Sequence, residues 1–236
     1  ETVQFRCFDS PLGRVVNREI LAGGIYRWPE GVPPPQTVVD VGANVGAAAL
    51  FFALSFPAAR IFAFEPAPAC HPLLRENLAG RPQVRIEPYG LFDRDAERQL
   101  FLGRQDSVTN SLGRSAYNAG DGPLVTLRHA GEALRDLGLQ AVDCLKLDTE
   151  GSEVPVLEAL APFLPRVNVL FVEYHSEADR RRIELFMAAD HLLVGGRIQG
   201  PHRGELTYAR RAAYRDAAAR DRLEIRSPRR GGREQG

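Results

Sequence analysis

A glycine-rich turn between a short apolar run and a helical stretch is the first feature that could bind a ligand. Its residues are Val38-Val-Asp-Val-Gly-Ala-Asn-Val-Gly46, with Asp40 two positions before Gly42. Glycines in such a turn let the backbone approach a ligand, and the helix that follows points its first N–H groups at it. A dinucleotide-binding turn has the spacing G-x-G-x-x-G, whereas this turn reads D-x-G-x-N-x-G. The acid at Asp40 therefore suits a ligand that carries a cation better than a pyrophosphate.

A second acidic residue ends the next apolar run. The run reads Phe62-Ala-Phe-Glu65-Pro66, and Glu65 lies nineteen residues after Gly46. In nucleotide-binding α/β folds this position reaches the two ribose hydroxyls, since one carboxylate can accept both hydrogen bonds. The two motifs, in this order and at this spacing, predict a cofactor site.

A third motif, Lys146-Leu-Asp-Thr-Glu-Gly-Ser-Glu153, contains the only lysine among the 30 basic residues of the chain. Strand alternation places Lys146 and Asp148 on the same side of a strand. An unpaired lysine is costly to bury, so we expect a carboxylate partner, and Asp148 or Glu173 is the natural choice. Two interpretations stay open: an ion pair that orders the following loop, or residues that take part directly in catalysis.

The run Phe171-Val-Glu-Tyr-His175 puts Glu173 and His175 on one face of a further strand. If this strand neighbours the Asp148 strand, the three side chains converge where parallel sheets bind ligands. His175 could be a general base oriented by Glu173 or Asp148, since its ordinary pKa is ~6.5. Alternatively, Asp148, Glu173 and His175 could ligate a divalent metal, or His175 could merely cap a strand end. We favour the base because the sequence has no compact metal motif.

The elements that must position these residues alternate between strands and helices after the proline-rich segment 31–36. This alternation predicts βαβ units and a doubly wound parallel sheet. The predicted strands are 37–41, 60–65, 84–89, 142–147 and 167–174, the predicted helices are 45–55, 68–78, 130–137, 152–160 and 178–189, and a final hairpin pairs 191–198 with 205–209.

The remaining segments flank or interrupt this core. We interpret residues 1–36 as an N-terminal cap of strands and turns, residues 37–209 as the ligand-binding domain, and residues 210–236 as a helix with a disordered tail. The polar stretch 103–122 is either a lid over the site or a disordered insertion, because long loops inside compact domains are uncommon unless functional or disordered.

Four motifs in order carry a family resemblance: Val39-Asp-Val-Gly-Ala-Asn-Val-Gly46, Phe64-Glu-Pro66, Leu91-Phe-Asp-Arg-Asp95 and Leu145-Lys-Leu-Asp-Thr-Glu-Gly-Ser-Glu153. With them the chain resembles class I S-adenosylmethionine-dependent methyltransferases and, among these, the FkbM family of O-methyltransferases, from about residue 18 to about residue 209. The last motif is specific to the family, whereas the glycine motif is shared with many methyltransferases. One departure is Arg128, because similar members of the family carry an acidic residue at the position after Leu127.

The resemblance implies a Rossmann-like α/β fold with a seven-stranded, mostly parallel sheet and an antiparallel final strand. It also implies methyl transfer from S-adenosylmethionine to a hydroxyl of a small molecule, such as a sugar or a natural-product scaffold. The glycine turn would hold the methionine part of the cofactor, Glu65 the ribose, and the residues around Gly90 the adenine. The cofactor-binding residues predicted in this way are Asp40, Gly42, Ala43, Asn44, Gly46, Glu65, Pro66, Gly90, Leu91 and Asp148.

For acceptor activation we expect Asp148 and His175 to be catalytic, with Lys146 and Glu173 beside them and Glu150 and Glu153 in support. A divalent metal is conceivable but not indicated. Two rival functions stay open. One is a nicotinamide-dependent oxidoreductase on a Rossmann sheet, against which the turn spacing speaks. The other is a non-catalytic protein that keeps the cofactor site.

Composition excludes other classes. The 236 residues carry 30 basic and 30 acidic side chains, so nucleic acid and anionic membranes are not the expected partners. The longest apolar stretch, 45–56, is shorter than the ~20 residues that span a bilayer. Three widely separated cysteines predict free thiols. We therefore expect a cytoplasmic protein with a small-molecule partner; a homodimer stays open.

Overall fold

The computed structural model describes residues 4–103, 109–113 and 118–213. Its strands are β1 Thr37–Val41, β2 Arg60–Phe64, β3 Val84–Glu87, β4 Gly90–Phe92, β5 Ala96–Gly103, β6 Asn118–His129, β7 Cys144–Leu147, β8 Val169–Tyr174, β9 His191–Gly200 and β10 Arg203–Arg210. Its helices are α1 Pro11–Leu21, α2 Ala47–Ser55, α3 His71–Asn77, α4 Ala130–Asp136, α5 Glu153–Ala159 and α6 Glu177–Met187.

The main sheet has seven strands in the order β3-β2-β1-β7-β8-β10-β9. Strands β3, β2, β1, β7 and β8 pair in parallel, and β10 runs antiparallel to both of its neighbours. The predicted doubly wound sheet with an antiparallel final strand is therefore confirmed. The reversal of strand order next to β1 opens a crevice at the carboxyl ends of β1 and β7, where such sheets bind ligands.

Helices cover both faces of this sheet, because successive residues of each central strand point to opposite sides. On one face Val39 and Leu145 pack in a core with α4, α5 and α6. On the other face Val38 and Cys144 pack with α1, α2 and α3. Burial on both faces explains why the central strands are apolar runs without clear alternation.

The N-terminal cap differs from the prediction of strands and turns, since α1 occupies Pro11–Leu21. The side chain of Ser10 accepts a hydrogen bond from the backbone N–H of Gly13, and Pro11 stands in the first turn, where its missing N–H costs nothing. These capping signals favour a helix. At the other end of the chain, residues 214–236, to which most of the predicted helix and tail belongs, lie outside the described residues.

The stretch 103–122 is bordered by an antiparallel ribbon rather than by irregular loop. Strands β5 and β6 form it, and β6 also pairs with β4 in a small three-stranded sheet. Alternating apolar residues such as Leu100 and Val125 are buried under the ribbon and explain the pairing. Residues 104–108 and 114–117 of the predicted lid or insertion lie outside the described residues.

Among the helices of the described ranges, none combines the length and the apolarity that a membrane crossing needs.

Candidate active site

A cavity of about 330 Å³ opens at the carboxyl ends of the central strands. Its walls are the turn after β1, the ends of β2, β7 and β8, one side of α1, and the β9–β10 hairpin. The volume falls in the range of small-molecule and cofactor sites, and the position at a reversal of strand order is where α/β sheets bind ligands.

The turn after β1 is held in place by its neighbours on both sides. The amides of Gly42 and Ala43 both donate to the carbonyl of Phe64 at 3.0 Å. Gly42 has a φ of +80°, and a Cβ at this residue would lie 1.8 Å from the carbonyl oxygen of Asp148. Only glycine fits this conformation and this close approach of two backbones. The turn therefore presents its backbone to the cavity in one fixed geometry.

Glu65 lies on the cavity wall beside this turn and is 6% exposed. Its Oε2 accepts from the amide of Asn44 and its Oε1 from the amide of Ala67, each at 2.7 Å. Burial raises the pKa of its carboxyl to about 7 in spite of these hydrogen bonds. Each carboxylate oxygen keeps a second lone pair for a hydroxyl of a ligand. The carboxylate therefore fits the two ribose hydroxyls of a nucleoside cofactor.

The same end of the cavity becomes apolar beyond Glu65. Pro66, Gly90 and Leu91 line it as predicted, and Leu91 is 2% exposed. Two leucines that the sequence did not indicate, Leu100 on β5 and Leu112, line this cavity as well. An apolar slot next to a carboxylate that can accept hydrogen bonds from two hydroxyls fits the purine base and ribose of a nucleoside. The residues present thus fit S-adenosylmethionine.

Asp40 and Lys146 lie in the main sheet beneath the glycine turn. The parallel register of β1 and β7 sets them opposite each other, with Lys146 Nζ 3.1 Å from Asp40 Oδ1 and 3.9 Å from Asp148 Oδ2. Lys146 Nζ also donates to the carbonyl of Gly42 at 2.7 Å. The expected partner Asp148 does pair with Lys146, but Asp40 is the nearer carboxylate, and no ion pair of Lys146 with Glu173 is found among the described residues.

This pair changes the interpretation of both residues. Asp40 is completely buried and does not border the cavity, so its charge meets Lys146 rather than a ligand cation. Burial by itself would lower the pKa of Lys146, but the carboxylates of Asp40 and Asp148 raise it above its ordinary value. Lys146 therefore stays charged and holds the carbonyl of Gly42 in place.

An arginine that sequence reasoning missed joins the ends of β7 and β8. Arg203 on β10 places Nη2 2.9 Å from Glu150 Oε1 and Nε 2.5 Å from Glu173 Oε1. Asp148, Glu150, Glu173 and Arg203 all border the cavity. No local signal identifies Arg203, because it reaches the site only through the antiparallel pairing of β10 with β8.

His175 is clamped between carboxylates and does not border the cavity. Its Nε2 lies 3.1 Å from Glu150 Oε2 and its Nδ1 3.4 Å from Glu153 Oε1. Burial alone would lower the pKa of His175, but the neighbouring carboxylates of Glu150 and Glu153 raise it to about 11. The expected pKa near ~6.5 is wrong for this arrangement. A ring that already holds its proton in the neutral range does not fit the role of general base.

Glu153 instead explains how the loop after β7 is ordered. Its Oε1 accepts from the amide of Thr149 at 2.8 Å, and both of its oxygens lie 3.1 Å from the amide of Gly151. Glu150 has a φ of 54°, which an L residue rarely adopts, and Arg203 and His175 hold its carboxylate. The ion pairs of this loop thus stabilise a strained backbone at the cavity wall.

The predicted metal ligands do converge. Asp148, Glu173 and His175, joined by Glu150, each offer a ligand atom within 4.8 Å of the others. Arg203 pairs with two of these carboxylates, and the carboxylates of Glu150 and Glu153 raise the pKa of His175, which favours its charged form. A divalent cation would have to displace these cations, so the donor set fits an ion-pair network better than a metal site.

The described part of the polar stretch 103–122 also borders the cavity. Thr109, Asn110 and Leu112 line it, and the hydroxyl of Ser111 donates to the carbonyl of Glu150 at 2.7 Å. The tip of the ribbon therefore contacts the loop after β7 and contributes to the cavity wall.

Comparison with known proteins gives a family match. The model of the methyltransferase FkbM domain matches residues 40–200. The 2-O-methyltransferase NoeI of Sinorhizobium fredii is 25% identical, over 61% of this chain and 65% of its own length. The 31-O-demethyl-FK506 methyltransferase FkbM of Streptomyces tacrolimicus is 28% identical, over 67% of this chain and 73% of its own length.

Two further similarities concern a larger protein and the fold. The AMB antimetabolite synthetase AmbE of Pseudomonas aeruginosa is 29% identical over 70% of this chain, which corresponds to 10% of the synthetase. The crystal structure of a fibrillarin/Nop5p complex contains a chain similar in fold, with a TM-score of 0.53 at 13% identity, covering 84% of both chains.

Proposed function

This chain belongs to the FkbM methyltransferase family, and we propose that it transfers a methyl group from S-adenosylmethionine to a hydroxyl group of a small molecule. The observation that carries the proposal is the buried carboxylate of Glu65 on the cavity wall, next to the glycine turn and the apolar slot. One relative is named a 2-O-methyltransferase and another a 31-O-demethyl-FK506 methyltransferase, which supports oxygen as the acceptor atom.

Each part of this cavity end would hold one part of the cofactor. The turn from Gly42 to Gly46 would hold the methionine part through its backbone, Glu65 would bind the ribose hydroxyls, and the slot at Leu91 would take the adenine. When bound, S-adenosylmethionine supplies a sulfonium methyl group that is already a strong donor. The protein therefore has to align the acceptor oxygen, exclude water and accept one proton.

Asp148 is the residue that we expect to act on the acceptor hydroxyl. Its carboxylate borders the cavity with 30% of its side chain exposed, and its backbone carbonyl touches the glycine turn at Gly42. When the acceptor hydroxyl takes up the methyl group, the Asp148 carboxylate would accept the proton that the hydroxyl loses. Lys146, Glu150, Glu153, Glu173 and His175 would position this carboxylate rather than touch the reacting atoms.

Calorimetric titration with S-adenosylhomocysteine and, separately, with NADH tests the cofactor. We expect S-adenosylhomocysteine to bind the native protein, NADH not to bind, and both Glu65→Gln and Glu65→Ala to weaken the binding by at least about tenfold. The exposed Glu97 supplies a matched control, because Glu97→Gln removes a surface carboxylate on the ribbon. Binding of NADH instead would support the oxidoreductase alternative and contradict the proposal.

A methyl-transfer assay distinguishes the proposed role of Asp148 from that of Glu65. With labelled S-adenosylmethionine and a panel of hydroxylated acceptors, we expect Asp148→Asn to lose turnover while S-adenosylhomocysteine affinity changes less than about threefold. If cofactor binding is tight but no acceptor in the panel is methylated, the non-catalytic alternative gains support.

A further inference from the structure

The cavity continues past the proposed cofactor end between two walls of opposite character. One wall is a stripe on α1, made by Leu12, Val16 and Ile20, which are four residues apart and so share one helix face. The other wall is the β9–β10 hairpin, which presents Arg197, Gln199, Arg203 and Glu205. One cavity thus has an apolar side and a charged side.

The apolar stripe runs from the interior to the surface. Ile20 is 8% exposed, Val16 is half-buried and Leu12 is 43% exposed although it still borders the cavity. Val15, beside Leu12 on the outer turn, is 63% exposed. The inner end belongs to the core of the protein, but core packing does not account for the outer end. Exposed apolar surface that continues a cavity is typical of a ligand groove.

The hairpin wall is a set of hydrogen-bonding groups held by one another. Gln199 Nε2 donates to Glu205 Oε1 at 2.6 Å, and Arg197 Nη2 lies 3.4 Å from the same oxygen. Arg197 also pairs with Glu19 of α1, so an ion pair joins the two walls. Donors and acceptors fixed in this way can bind several hydroxyls of one ligand.

We propose that the acceptor is amphiphilic: a hydroxylated ring that carries an apolar substituent or face. The ring would lie against the hairpin wall with one hydroxyl at Asp148, and the apolar part would lie along the α1 stripe toward Leu12. This inference rests on the proposed function, because it assumes that the cofactor occupies the Glu65 end. Leu12 is then a specificity-determining residue rather than a packing residue.

Matched glycosides test the apolar wall. Methyl and hexyl β-glucosides, β-galactosides and β-mannosides are titrated into the protein saturated with S-adenosylhomocysteine. Within at least one pair we expect the hexyl glycoside to bind about tenfold tighter, since part of its longer chain leaves water. Leu12→Asn should abolish this preference and Leu12→Met should keep it. Leu185→Asn, at a 77% exposed leucine of α6, is the matched control and should also keep it.

Several outcomes would overturn the proposal. They are equal binding within every pair, a preference that survives Leu12→Asn, and absence of binding by all six glycosides while S-adenosylhomocysteine still binds. A dimer that Leu12→Asn dissociates, without any glycoside preference, would assign the stripe to contact between two copies of the chain. Failure of S-adenosylhomocysteine itself to bind would instead refute the proposed function.

Discussion

The two ends of the cavity are built in different ways. At the proposed cofactor end, backbone hydrogen bonds hold the site together. The amides of Gly42 and Ala43 donate to the carbonyl of Phe64, and those of Asn44 and Ala67 donate to the carboxylate of Glu65. At the hairpin wall and the loop after β7, where the acceptor is proposed to bind (the acceptor end), long side chains bind one another. Arg203 pairs with Glu150 and Glu173, and Arg197 pairs with Glu19 and Glu205.

Under the proposed function, this difference means that cofactor binding and acceptor recognition depend on different kinds of contact. Backbone hydrogen bonds at strand ends cannot change without moving the sheet, so the cofactor end depends on the fold itself. The ion pairs of Arg197 are partly exposed, and pairs of this kind contribute little to stability and can be exchanged at small cost. We therefore expect substitutions at the cofactor end to affect stability and cofactor affinity, and substitutions at the acceptor end to affect acceptor selection.

The largest effect is expected at Lys146, which supports the glycine turn from below. Lys146→Met leaves Asp40 as an unpaired, fully buried carboxylate, and we expect a loss of about 3–5 kcal/mol in the free energy of unfolding. Denaturant unfolding measures it. The double variant Asp40→Asn with Lys146→Met should lose less, because position 40 then carries no buried charge. A single variant as stable as the native protein would show that the turn does not depend on this pair.

Gly42→Ala tests the close approach of the turn to β7. We expect a loss of about 2–4 kcal/mol, since the new Cβ would overlap the carbonyl oxygen of Asp148. Gly80→Ala is the matched control. Gly80 also has a positive φ, +73°, but a Cβ there meets nothing within 4 Å, so only about 1 kcal/mol of backbone strain is expected. Equal losses in thermal or denaturant unfolding would contradict the steric argument.

The pH dependence of cofactor binding tests whether the ionised carboxylate of Glu65 binds the cofactor. In the proposed complex the ionised carboxylate would accept the ribose hydroxyls, but with a pKa of about 7 it is largely protonated in slightly acidic solution. Binding should therefore strengthen as the pH rises through 7, by roughly tenfold between about pH 6 and pH 8, with release of a proton. Titrations with S-adenosylhomocysteine at several pH values check this. The dependence should vanish in Glu65→Gln, and a flat profile of the native protein would contradict the assignment.

The smallest effect on stability is expected at Arg197. Its side chain is 45% exposed, so solvent screens its pairs, and Arg197→Gln should change the free energy of unfolding by at most about 1 kcal/mol. Affinity for S-adenosylhomocysteine should stay within about threefold of the native value, whereas the glycoside that binds tightest should bind measurably more weakly. A large loss of S-adenosylhomocysteine affinity would show that the two ends are not independent.

Much of the cofactor end could be predicted from the sequence because its determinants are local. The turn geometry depends on Gly42 and Gly46, and Glu65 directly follows a strand whose apolar run is easy to recognise. The order of strands and helices in the main sheet could be predicted for the same reason, whereas β4, β5 and β6 of the small sheet were not predicted. The helix α1 departs from the predicted cap of strands and turns, because Ser10 caps the first turn and Pro11 is tolerated there.

The acceptor end could be predicted only in part. Asp148, Glu150 and Glu173 were identified, but their partner Arg203 lies far along the chain, on β10. His175 was found, yet its pKa depends on Glu150 and Glu153, whose side chains approach it only in the folded loop. An expectation about proton transfer therefore failed where distances between non-neighbouring side chains decide the charge.

By itself the sequence determined the glycine turn, the carboxylate at Glu65, the family motifs and the alternation of strands and helices. These follow from backbone sterics and from hydrophobic periodicity, which act over a few residues. Only the tertiary structure decided that Asp40 pairs with Lys146, that Arg203 joins Glu150 to Glu173, and that α1 forms an apolar wall. Such contacts depend on the register and order of strands across the whole sheet, because electrostatic and packing energies are set by distances in space rather than along the chain.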